Sequence, residues 1–333
     1  MEKIRLGIIG LGYIGKVHLR HCQKLANAKL VAASDLSKKA LKIANDTSVK
    51  KTYTNYEQLL GVSDIDAVII ALPTHLHTQC AKQVAEAKKH IFLEKPIARN
   101  TTEAKEIISA ARKNHVKLMM GYPLRFNPAF CKLKERIDDG TLGEIEIAHA
   151  AYISSGPFMH RAEAHTPLPV PEWWFNKKLT GGGTLIDLGS HLINLLRWYF
   201  GEVANIKSHL GYRFKLDFED SATCIAKFEH GTLAVINVGW FSQSYHLKID
   251  LHGSVRSFSV NHSPSNPIST VIQTLTKGYS KFHEGHFIEL QHFVNCLIKD
   301  QPPSPSGEDG LKDLEVIEQA YKNQIRLDQP QTI

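Results

Sequence analysis

The sequence predicts an α/β domain built on a parallel sheet, followed by an α+β domain with a large open, mainly antiparallel sheet. From Ile4 to about Tyr122, short apolar runs alternate with amphipathic segments of helix length, which is typical of parallel strands joined by crossover helices. From Val203 to Val260, apolar and polar residues alternate along several short runs, as in antiparallel strands with one solvated face. A chain of 333 residues is long enough for two cores, and we place the domains at 1–123 and 124–333.

In the first domain, each strand is an apolar run that ends before polar or glycine residues. The predicted strands are Ile4 to Ile9, Lys29 to Ser34, Ala67 to Leu72, His90 to Leu93 and Lys117 to Met120. Helices are predicted at Lys16 to Leu25 and at Thr102 to Asn114. Asn100 and Glu103 form a capping pair for the second helix, which fixes where it begins.

In the second domain, the apolar pattern changes its period several times. Helices are predicted near Pro128 to Ile137, from the triplet Gly181-Gly182-Gly183 to Phe200, near Glu284 to Lys299 and near Glu308 to Gln324. Strands are predicted near Glu144 to Ile153 and at Ser221 to Phe228, Thr232 to Trp240 and Leu247 to Leu251. The stretch from Gly156 to Phe175 is rich in proline and aromatic residues, and we expect its part from Gly156 to Pro171 to be a lid or specificity loop.

Composition limits the possible partners. The net charge is +7, but the lysines occur as scattered pairs, so we expect no nucleic-acid partner. No apolar run approaches the roughly 18 residues of a membrane span, so we expect no membrane association. The five cysteines are widely spaced and never form a C-x-x-C pair, which predicts no disulfide framework or zinc knuckle and fits the reducing cytoplasm.

A dinucleotide site is predicted at the end of the first strand. Gly10-Leu11-Gly12-Tyr13-Ile14-Gly15 fits G-x-G-x-x-G between a strand and a helix, where backbone N–H groups hold a pyrophosphate. Asp35 follows the second strand, 20 residues after Gly15, and can accept hydrogen bonds from ribose hydroxyls. The first domain is therefore predicted to be a Rossmann domain. The Asp35 carboxylate would repel a 2′-phosphate, so NAD is predicted over NADP.

Two further segments carry candidate chemistry. Glu94-Lys95-Pro96 follows the fourth predicted strand, at the edge where open α/β sheets bind ligands. Asp187 and His191 are four residues apart on a predicted helix, so both can converge on one substrate. A helix cap, a buried pair and a metal pair are alternatives for these two residues, but no third ligand is apparent and we predict no metal. His75 and His77 also suggest a metal, although a packing role is the simpler interpretation.

These motifs, taken in order, resemble the Gfo/Idh/MocA oxidoreductase family over nearly the whole chain. The resemblance rests on the glycine fingerprint, Pro73 and His77, Glu94-Lys95-Pro96, Arg125-Phe126-Asn127-Pro128, Gly140-Thr141-Leu142-Gly143, and the glycine triplet followed by Asp187, Gly189 and His191. One position departs from the family pattern. Trp174 follows Trp173 where family members often carry an arginine, which leaves that contact with cofactor or substrate open.

The resemblance implies a set of site residues. The catalytic residues are Lys95, Asp187 and His191. The cofactor-binding residues are Gly10, Gly12, Tyr13, Ile14, Gly15, Asp35, Leu36, Leu72, Pro73, Thr74, His77, Glu94, Lys95, Pro96, Arg125 and Trp174. The substrate-binding residues are Lys95, Tyr122, Arg161, Trp173, Asp187 and His191. Chemistry agrees with the catalytic set, because oxidation of an alcohol needs a base beside the carbinol, and histidine titrates near neutral pH.

The predicted function is hydride transfer between NAD and a secondary alcohol or ketone of a cyclic sugar, inositol or nucleotide sugar. A redox-neutral, NAD-dependent glycosidase is the alternative enzyme. A regulator that only senses the nucleotide is a third possibility, but such a protein is expected to have lost Lys95, Asp187 and His191. The resemblance also implies a homodimer or homotetramer formed through the antiparallel sheet.

Overall fold

The computed structural model describes residues 3–47, 49–157, 171–242, 244–263 and 283–325. The chain divides into two compact units. Unit 1 comprises Met1–Phe126 and His283–Leu311, and unit 2 comprises Asn127–Phe282 and Lys312–Ile333. The domain boundary predicted after residue 123 therefore lies close to the point where the chain first passes from unit 1 to unit 2. The prediction placed 283–311 in the second domain, whereas these residues group with unit 1. No helix within the described ranges is both long and apolar enough to cross a membrane.

Unit 1 is a Rossmann fold. Its strands are β1 (Ile4–Ile9), β2 (Ala28–Ser34), β3 (Lys51–Tyr53), β4 (Ala67–Ile70), β5 (His90–Glu94) and β6 (Leu118–Gly121). Its helices before residue 127 are α1 (Tyr13–Cys22), α2 (Lys38–Asp46), α3 (Tyr56–Leu60), α4 (His77–Glu86) and α5 (Thr101–Lys113). All strand pairs are parallel, in the order β3-β2-β1-β4-β5-β6. The predicted α/β class is confirmed.

The core of unit 1 explains why a later segment groups with it. Every residue of β4 is buried, as expected for a central parallel strand covered on both faces. Helix α9 (Glu284–Ile298) is strongly apolar and supplies Leu290 and Phe293 to the same core cluster as Ile8 and Phe92. Rings of Phe92 and Phe293 are 5.7 Å apart. Burial of apolar surface against the first sheet therefore places α9 in unit 1, although the helix lies far from that sheet along the chain. Sequence periodicity alone does not reveal this placement.

Unit 2 is an α+β fold. Its strands are β7 (Ile145–Ile153), β8 (Val203–Gly211), β9 (Ser221–Phe228), β10 (Leu233–Gly239), β11 (His246–Gly253) and β12 (Ser257–Asn261). Its helices are α6 (Pro128–Asp138), α7 (Lys177–Thr180) and α8 (Ser190–Phe200), and α10 (Gly307–Lys322) contributes its part from Lys312 onward. The strand order is β12-β11-β7-β10-β9-β8, and only the β7–β10 pair is parallel. The mainly antiparallel sheet is confirmed.

A buried ion network holds α8 inside unit 2. Arg197 of α8 donates to the Asp313 carboxylate of α10 at 2.5 Å, and Asn194 donates to its other oxygen at 2.6 Å. Glu202 accepts two further bonds from the same guanidinium. Burial opposes the charge, but Asp313 and Glu202 raise the pKa of Arg197 above its ordinary value. This network orients the helix that carries His191.

Replacing Asp313 with asparagine leaves the buried Arg197 guanidinium short of one counter-charge. We expect a loss of about 3 kcal/mol in the free energy of unfolding, measured by urea denaturation. Asp300→Asn removes the charge of a fully exposed carboxylate that pairs with the half-buried Lys117, and it serves as the control, with an unchanged midpoint expected. Equal midpoints for the two variants would show that the buried network does not anchor α8.

Candidate active site

The predicted residues of unit 1 collect at one edge of the parallel sheet. They follow or end β1, β2, β4, β5 and β6, whose carboxyl ends share that edge. They are Gly10, Gly12, Tyr13, Ile14, Gly15, Asp35, Leu36, Leu72, Pro73, Thr74, His77, Glu94, Lys95, Pro96, Tyr122 and Arg125. The strand order reverses its direction between β1 and β4, and open sheets of this kind bind ligands at that point.

The glycine fingerprint is required by close contacts between backbone segments. Gly10 has φ +91°, and a Cβ there would lie 2.4 Å from the carbonyl oxygen of Ala71. A Cβ on Gly15 would lie 2.0 Å from the carbonyl oxygen of Gly10. A Cβ on Gly12 would have no heavy atom within 4 Å. Two glycines therefore pack the turn, and the third faces open space where a ligand can approach the backbone.

The N-terminus of α1 fits a pyrophosphate. Gly12 caps this ten-residue helix without any side-chain hydrogen bond, and its first turn carries no acidic residue. The first backbone N–H groups and the positive end of the helix dipole are thus left for an anion. Gly12 and Tyr13 are exposed, and Ile14 is half-buried. This cradle fits the phosphates of NAD.

Asp35 lies beside the same turn. Its Oδ2 accepts the backbone N–H of Leu11 at 2.6 Å, and its Oδ1 accepts that of Ser37 at 2.7 Å. Both bonds fix the carboxylate at the end of β2 and leave further lone pairs for hydroxyl donors. Leu36, the next residue, is exposed. A fixed carboxylate at this position accepts from ribose hydroxyls and disfavours a phosphate.

His77 joins two of the predicted loops and does not serve as a metal ligand. Its Nδ1 lies 2.9 Å from the carbonyl oxygen of Pro96, and its Nε2 lies 2.9 Å from that of Leu72. Burial lowers the pKa of His77, and the two carbonyl contacts oppose that shift. Because both ring nitrogens are engaged, the metal interpretation of His77 is wrong. The ring instead ties the segment after β4 to the segment after Lys95.

Glu94 supports Lys95 from inside unit 1. The Glu94 carboxylate is buried; one oxygen lies 2.6 Å from Nε2 of His18, and the other accepts the backbone N–H of Lys95 at 3.2 Å. A Cβ on Gly121, the β6 partner of Glu94, would lie 3.1 Å from that carboxylate. Lys95 itself is half-buried. A cofactor contact by Glu94 remains a prediction, since its oxygens are used within the unit.

In unit 2, the glycine triplet packs against a buried acid. Glu219 accepts the backbone N–H groups of Gly183 at 3.1 Å and Leu185 at 2.9 Å, and the Tyr321 hydroxyl at 2.8 Å. A Cβ on Gly183 would lie 1.8 Å from the carbonyl oxygen of Glu219, and one on Gly182 would lie 2.2 Å from the Tyr321 hydroxyl. Burial raises the pKa of Glu219. These contacts explain why glycines precede the site helix.

Asp187 and His191 are the accessible residues of an otherwise buried segment. Asp187 lies in a π-helical turn, Leu185–Gly189, and His191 lies in the first turn of α8. Within 182–197, these two side chains are half-buried, and every other residue is buried. Such a pattern is atypical of a buried structural pair. It presents one acid and one imidazole to solvent from a rigid apolar element.

Aromatic rings pack in two groups in unit 2, one of which contacts His191. The Tyr152 ring lies 5.9 Å from that of His191 and 5.4 Å from that of Tyr245. Trp173 and Trp174 stack at 5.0 Å, and Trp174 meets Trp240 edge-on at 6.1 Å. Trp173 and Trp174 are half-buried. Half-exposed rings can pack on the C–H faces of a sugar.

Three predicted substrate or cofactor residues are either buried or outside the described residues. Arg161, with its neighbours His160 and His165, lies outside the described residues. Tyr122 is only 2% exposed. Arg125 is buried, and its guanidinium lies 3.4 Å from Asp309. Substrate and cofactor contacts by these residues therefore remain predictions.

The sequence analysis missed the residues that support the site. These are His18, Tyr152, Glu219, Glu289 and Tyr321. A charged residue within an apolar run can indicate a buried polar role, and Glu289 lies in such a run. Glu219 lies next to Asp220 at the start of another apolar run. Tyr152 and Tyr321 carry no comparable signal, because aromatic residues are common in any core.

Comparison with known proteins agrees with this architecture. The family model described as "Oxidoreductase family, NAD-binding Rossmann fold" matches residues 4–122, and the "GFO/IDH/MocA C-terminal domain" model matches 130–259. Myo-inositol 2-dehydrogenase of Thermotoga maritima is 28% identical over 329 residues, which cover 92% of this chain and 92% of that protein.

Solved structures share the fold over nearly the full length. A probable dehydrogenase from Thermotoga maritima is 26% identical, with a TM-score of 0.83 and coverage of 96% of both chains. Levoglucosan dehydrogenase in complex with NADH and levoglucosan is 21% identical, with a TM-score of 0.83 over 98% of this chain and 100% of that chain. With both halves matched by its family models, the chain belongs to the GFO/IDH/MocA family of NAD-binding oxidoreductases.

Proposed function

We propose that this protein is an NAD-dependent dehydrogenase that oxidises a secondary alcohol of a cyclic polyol or sugar. The observation that carries the proposal is the isolated accessibility of Asp187 and His191 within a buried segment. The NAD cradle at α1 and the fixed carboxylate of Asp35 supply the binding half of the argument. We assign the steps of this redox chemistry to particular residues of this chain.

His191 is the proposed acid–base residue. When bound, NAD supplies the acceptor for the hydride that leaves the alcohol carbon. The hydroxyl proton must leave as the carbonyl forms, and an accessible imidazole can accept it. The Tyr152 ring and the buried surroundings of α8 limit the orientations of this imidazole.

Lys95 and Asp187 complete the proposed catalytic set. Lys95 would donate to the reacting oxygen and stabilise negative charge on it. Its backbone is fixed by the Glu94 carboxylate, which limits where the ammonium group can reach. Asp187 would accept a hydrogen bond from a neighbouring hydroxyl and so select compounds with vicinal hydroxyl groups.

The substrate class follows from the polar and aromatic groups of unit 2. An acid and an imidazole suit hydroxyl groups, and the Tyr152–Tyr245 pair suits the apolar face of a six-membered ring. The activity of the 28% identical myo-inositol 2-dehydrogenase supports an inositol or a related cyclic polyol. Nucleotide sugars are a broader possibility within the same chemistry.

We also propose a homodimer or homotetramer and a reducing, cytoplasmic setting. The outer face of the second sheet exposes Ile147, Ile225 and Leu233, and apolar residues on such a face favour association. None of the five cysteines forms a disulfide. These features support the proposal, and sedimentation of the purified protein measures the assembly directly.

A substrate panel tests the function. Purified protein is mixed with NAD and with inositols, aldoses or nucleotide sugars, and NADH is followed at about 340 nm. We expect NADH formation with at least one cyclic polyol or aldose. Release of an aglycone with no net NADH would instead identify the redox-neutral glycosidase, and no NADH with any compound of the panel would contradict the dehydrogenase proposal.

Removing the proposed base should abolish most turnover. His191→Ala is expected to lower kcat by about 100-fold or more, since the hydroxyl proton loses its acceptor. His230→Ala, at an exposed turn, is the matched control and should retain wild-type turnover. The assignment fails if His191→Ala is folded by circular dichroism and keeps near-normal kcat.

Cofactor choice should depend on Asp35. Asp35→Ser removes the carboxylate that disfavours a 2′-phosphate, so the ratio of kcat/KM for NAD to that for NADP should fall by about tenfold or more. Asp46→Ser, an exposed position on α2, is the control and should leave the ratio unchanged. An unaltered ratio in Asp35→Ser would show that another group selects the cofactor.

A further inference from the structure

Unit 1 contains a buried cluster of three titratable side chains behind Lys95. His18 comes from α1, Glu94 ends β5 and Glu289 comes from α9. Their relative exposures are 0%, 6% and 0%. One nitrogen or oxygen from each lies within 4.8 Å of the other two. Such groups are costly to bury, so their presence in the core calls for a role.

A shared proton fits this cluster better than a metal ion. The His18 Nε2 and Glu94 Oε1 atoms are 2.6 Å apart, which is a short hydrogen bond. Two ligands at about 2.1 Å from a tetrahedral zinc lie about 3.4 Å apart, so these atoms are too close to bind one ion together. A hydrogen bond therefore joins the two atoms, with the Nε2–H tautomer of His18 as its donor.

Glu289 lacks a counter-charge. Neither of its carboxylate oxygens makes a well-formed hydrogen bond with a described residue, and both are inaccessible to solvent. The titratable groups around it are Glu94 of β5, His18 of α1, and His286 and His292 on its own helix. Burial and the Glu94 charge raise the pKa of Glu289 well above its ordinary value, and only the Tyr122 backbone N–H opposes them.

Two adjacent buried carboxylates cannot both be ionised without a large electrostatic cost. Glu94 hydrogen-bonds with His18 and with the Lys95 backbone, and Glu289 has no comparable partner, so the geometry favours Glu289 as the carboxyl that keeps its proton. Glu289 is then the neutral partner. A neutral Glu289 removes the electrostatic repulsion that would push Glu94 away from its hydrogen-bond partners. On the β6 side, the Glu94 carboxylate lies so close to Gly121 that a Cβ there would be 3.1 Å from it.

We propose that His18 and Glu289 are positioning residues, which hold the Glu94 side chain against the Lys95 backbone by one imidazole hydrogen bond and one neutral carboxylic acid. They act on catalysis through Glu94 and touch neither cofactor nor substrate. The catalytic consequence rests on the role proposed above for Lys95. The protonation of Glu289 is independent of that role and can be measured without a substrate.

Glu289→Gln tests the neutral acid by thermal melting between pH 5 and pH 8. An acid whose pKa is raised in the folded state binds more protons when folded, so wild-type stability falls as pH rises from the unfolded value, about 4.3, toward the folded one. The amide cannot ionise and escapes this loss. We expect the Tm of Glu289→Gln minus that of wild type to increase steadily from pH 5 to pH 8.

The surface variant Glu315→Gln is the matched control, because Glu315 is exposed on α10, and its difference in Tm from wild type should be the same across this range. A Glu289→Gln difference that stays constant or decreases as pH rises would show that Glu289 is ionised in the folded protein. That result would overturn the proposal.

The positioning role is tested at His18. His18→Phe removes the donor to Glu94 but keeps a ring against Phe92, whose centroid is 5.2 Å from that of His18. His18→Gln restores an N–H donor of similar reach. We expect kcat to fall about tenfold in His18→Phe and to recover to within about threefold of wild type in His18→Gln, with KM for the polyol little changed.

Equal kcat values for the two His18 variants would overturn the positioning role. If the wild type oxidises nothing in the substrate panel, the proposed function fails, and the pH dependence of the Glu289→Gln melting difference still decides the protonation of Glu289. If the wild type is active and the melting difference shows no rise, the cluster proposal fails and the function stands.

Discussion

The structure of unit 1 depends on one backbone contact, the approach of Gly15 to the carbonyl oxygen of Gly10. Any side chain at Gly15 would collide with that oxygen, since a Cβ would lie only 2.0 Å away. This contact lets α1 begin directly beside the end of β1. The helix then presents free N–H groups at its start and carries His18 inward to Glu94. Cofactor binding and the support of Lys95 thus depend on the same helix.

Each unit uses a buried glutamate to fix the backbone beside a proposed catalytic residue. Glu94 accepts the N–H of Lys95, and Glu219 accepts the N–H groups of Gly183 and Leu185 just before Asp187. A carboxylate with two oxygens can hold several N–H donors that have left regular secondary structure. Burial makes these bonds strong and makes their loss costly. The side chains of Lys95 and Asp187, which we propose to be catalytic, are thus half-buried beside backbone segments held by these bonds.

Much of this organisation could be predicted from the sequence. Local sequence patterns predict the strands of unit 1, the glycine fingerprint with Asp35, and the Asp187–His191 pair. In the structure the fingerprint and Asp35 follow strand ends, and Asp187 and His191 are the accessible residues of one buried segment. The grouping of 283–311 with unit 1 could not be predicted, because it depends on apolar packing of α9 against segments that precede residue 127. Local periodicity identifies a buried face but not its partner.

The missed residues have a common physical reason. His18 and Glu289 become a cluster only through the packing of α1 and α9 on β5, and sequence spacing does not encode that meeting. Glu219 becomes important because two glycines allow the chain to approach it, so its role is visible only when those glycines are seen in space. Buried polar groups depend on tertiary context more than apolar groups do.

Direct hydride transfer to NAD is tested by the fate of the hydrogen on the alcohol carbon. A substrate deuterated at its C–H positions is turned over with NAD, and the reduced cofactor is weighed by mass spectrometry. Direct hydride transfer predicts one deuterium in each NADH molecule formed. Reduced cofactor without deuterium, or substrate conversion with no labelled NADH, would contradict the account.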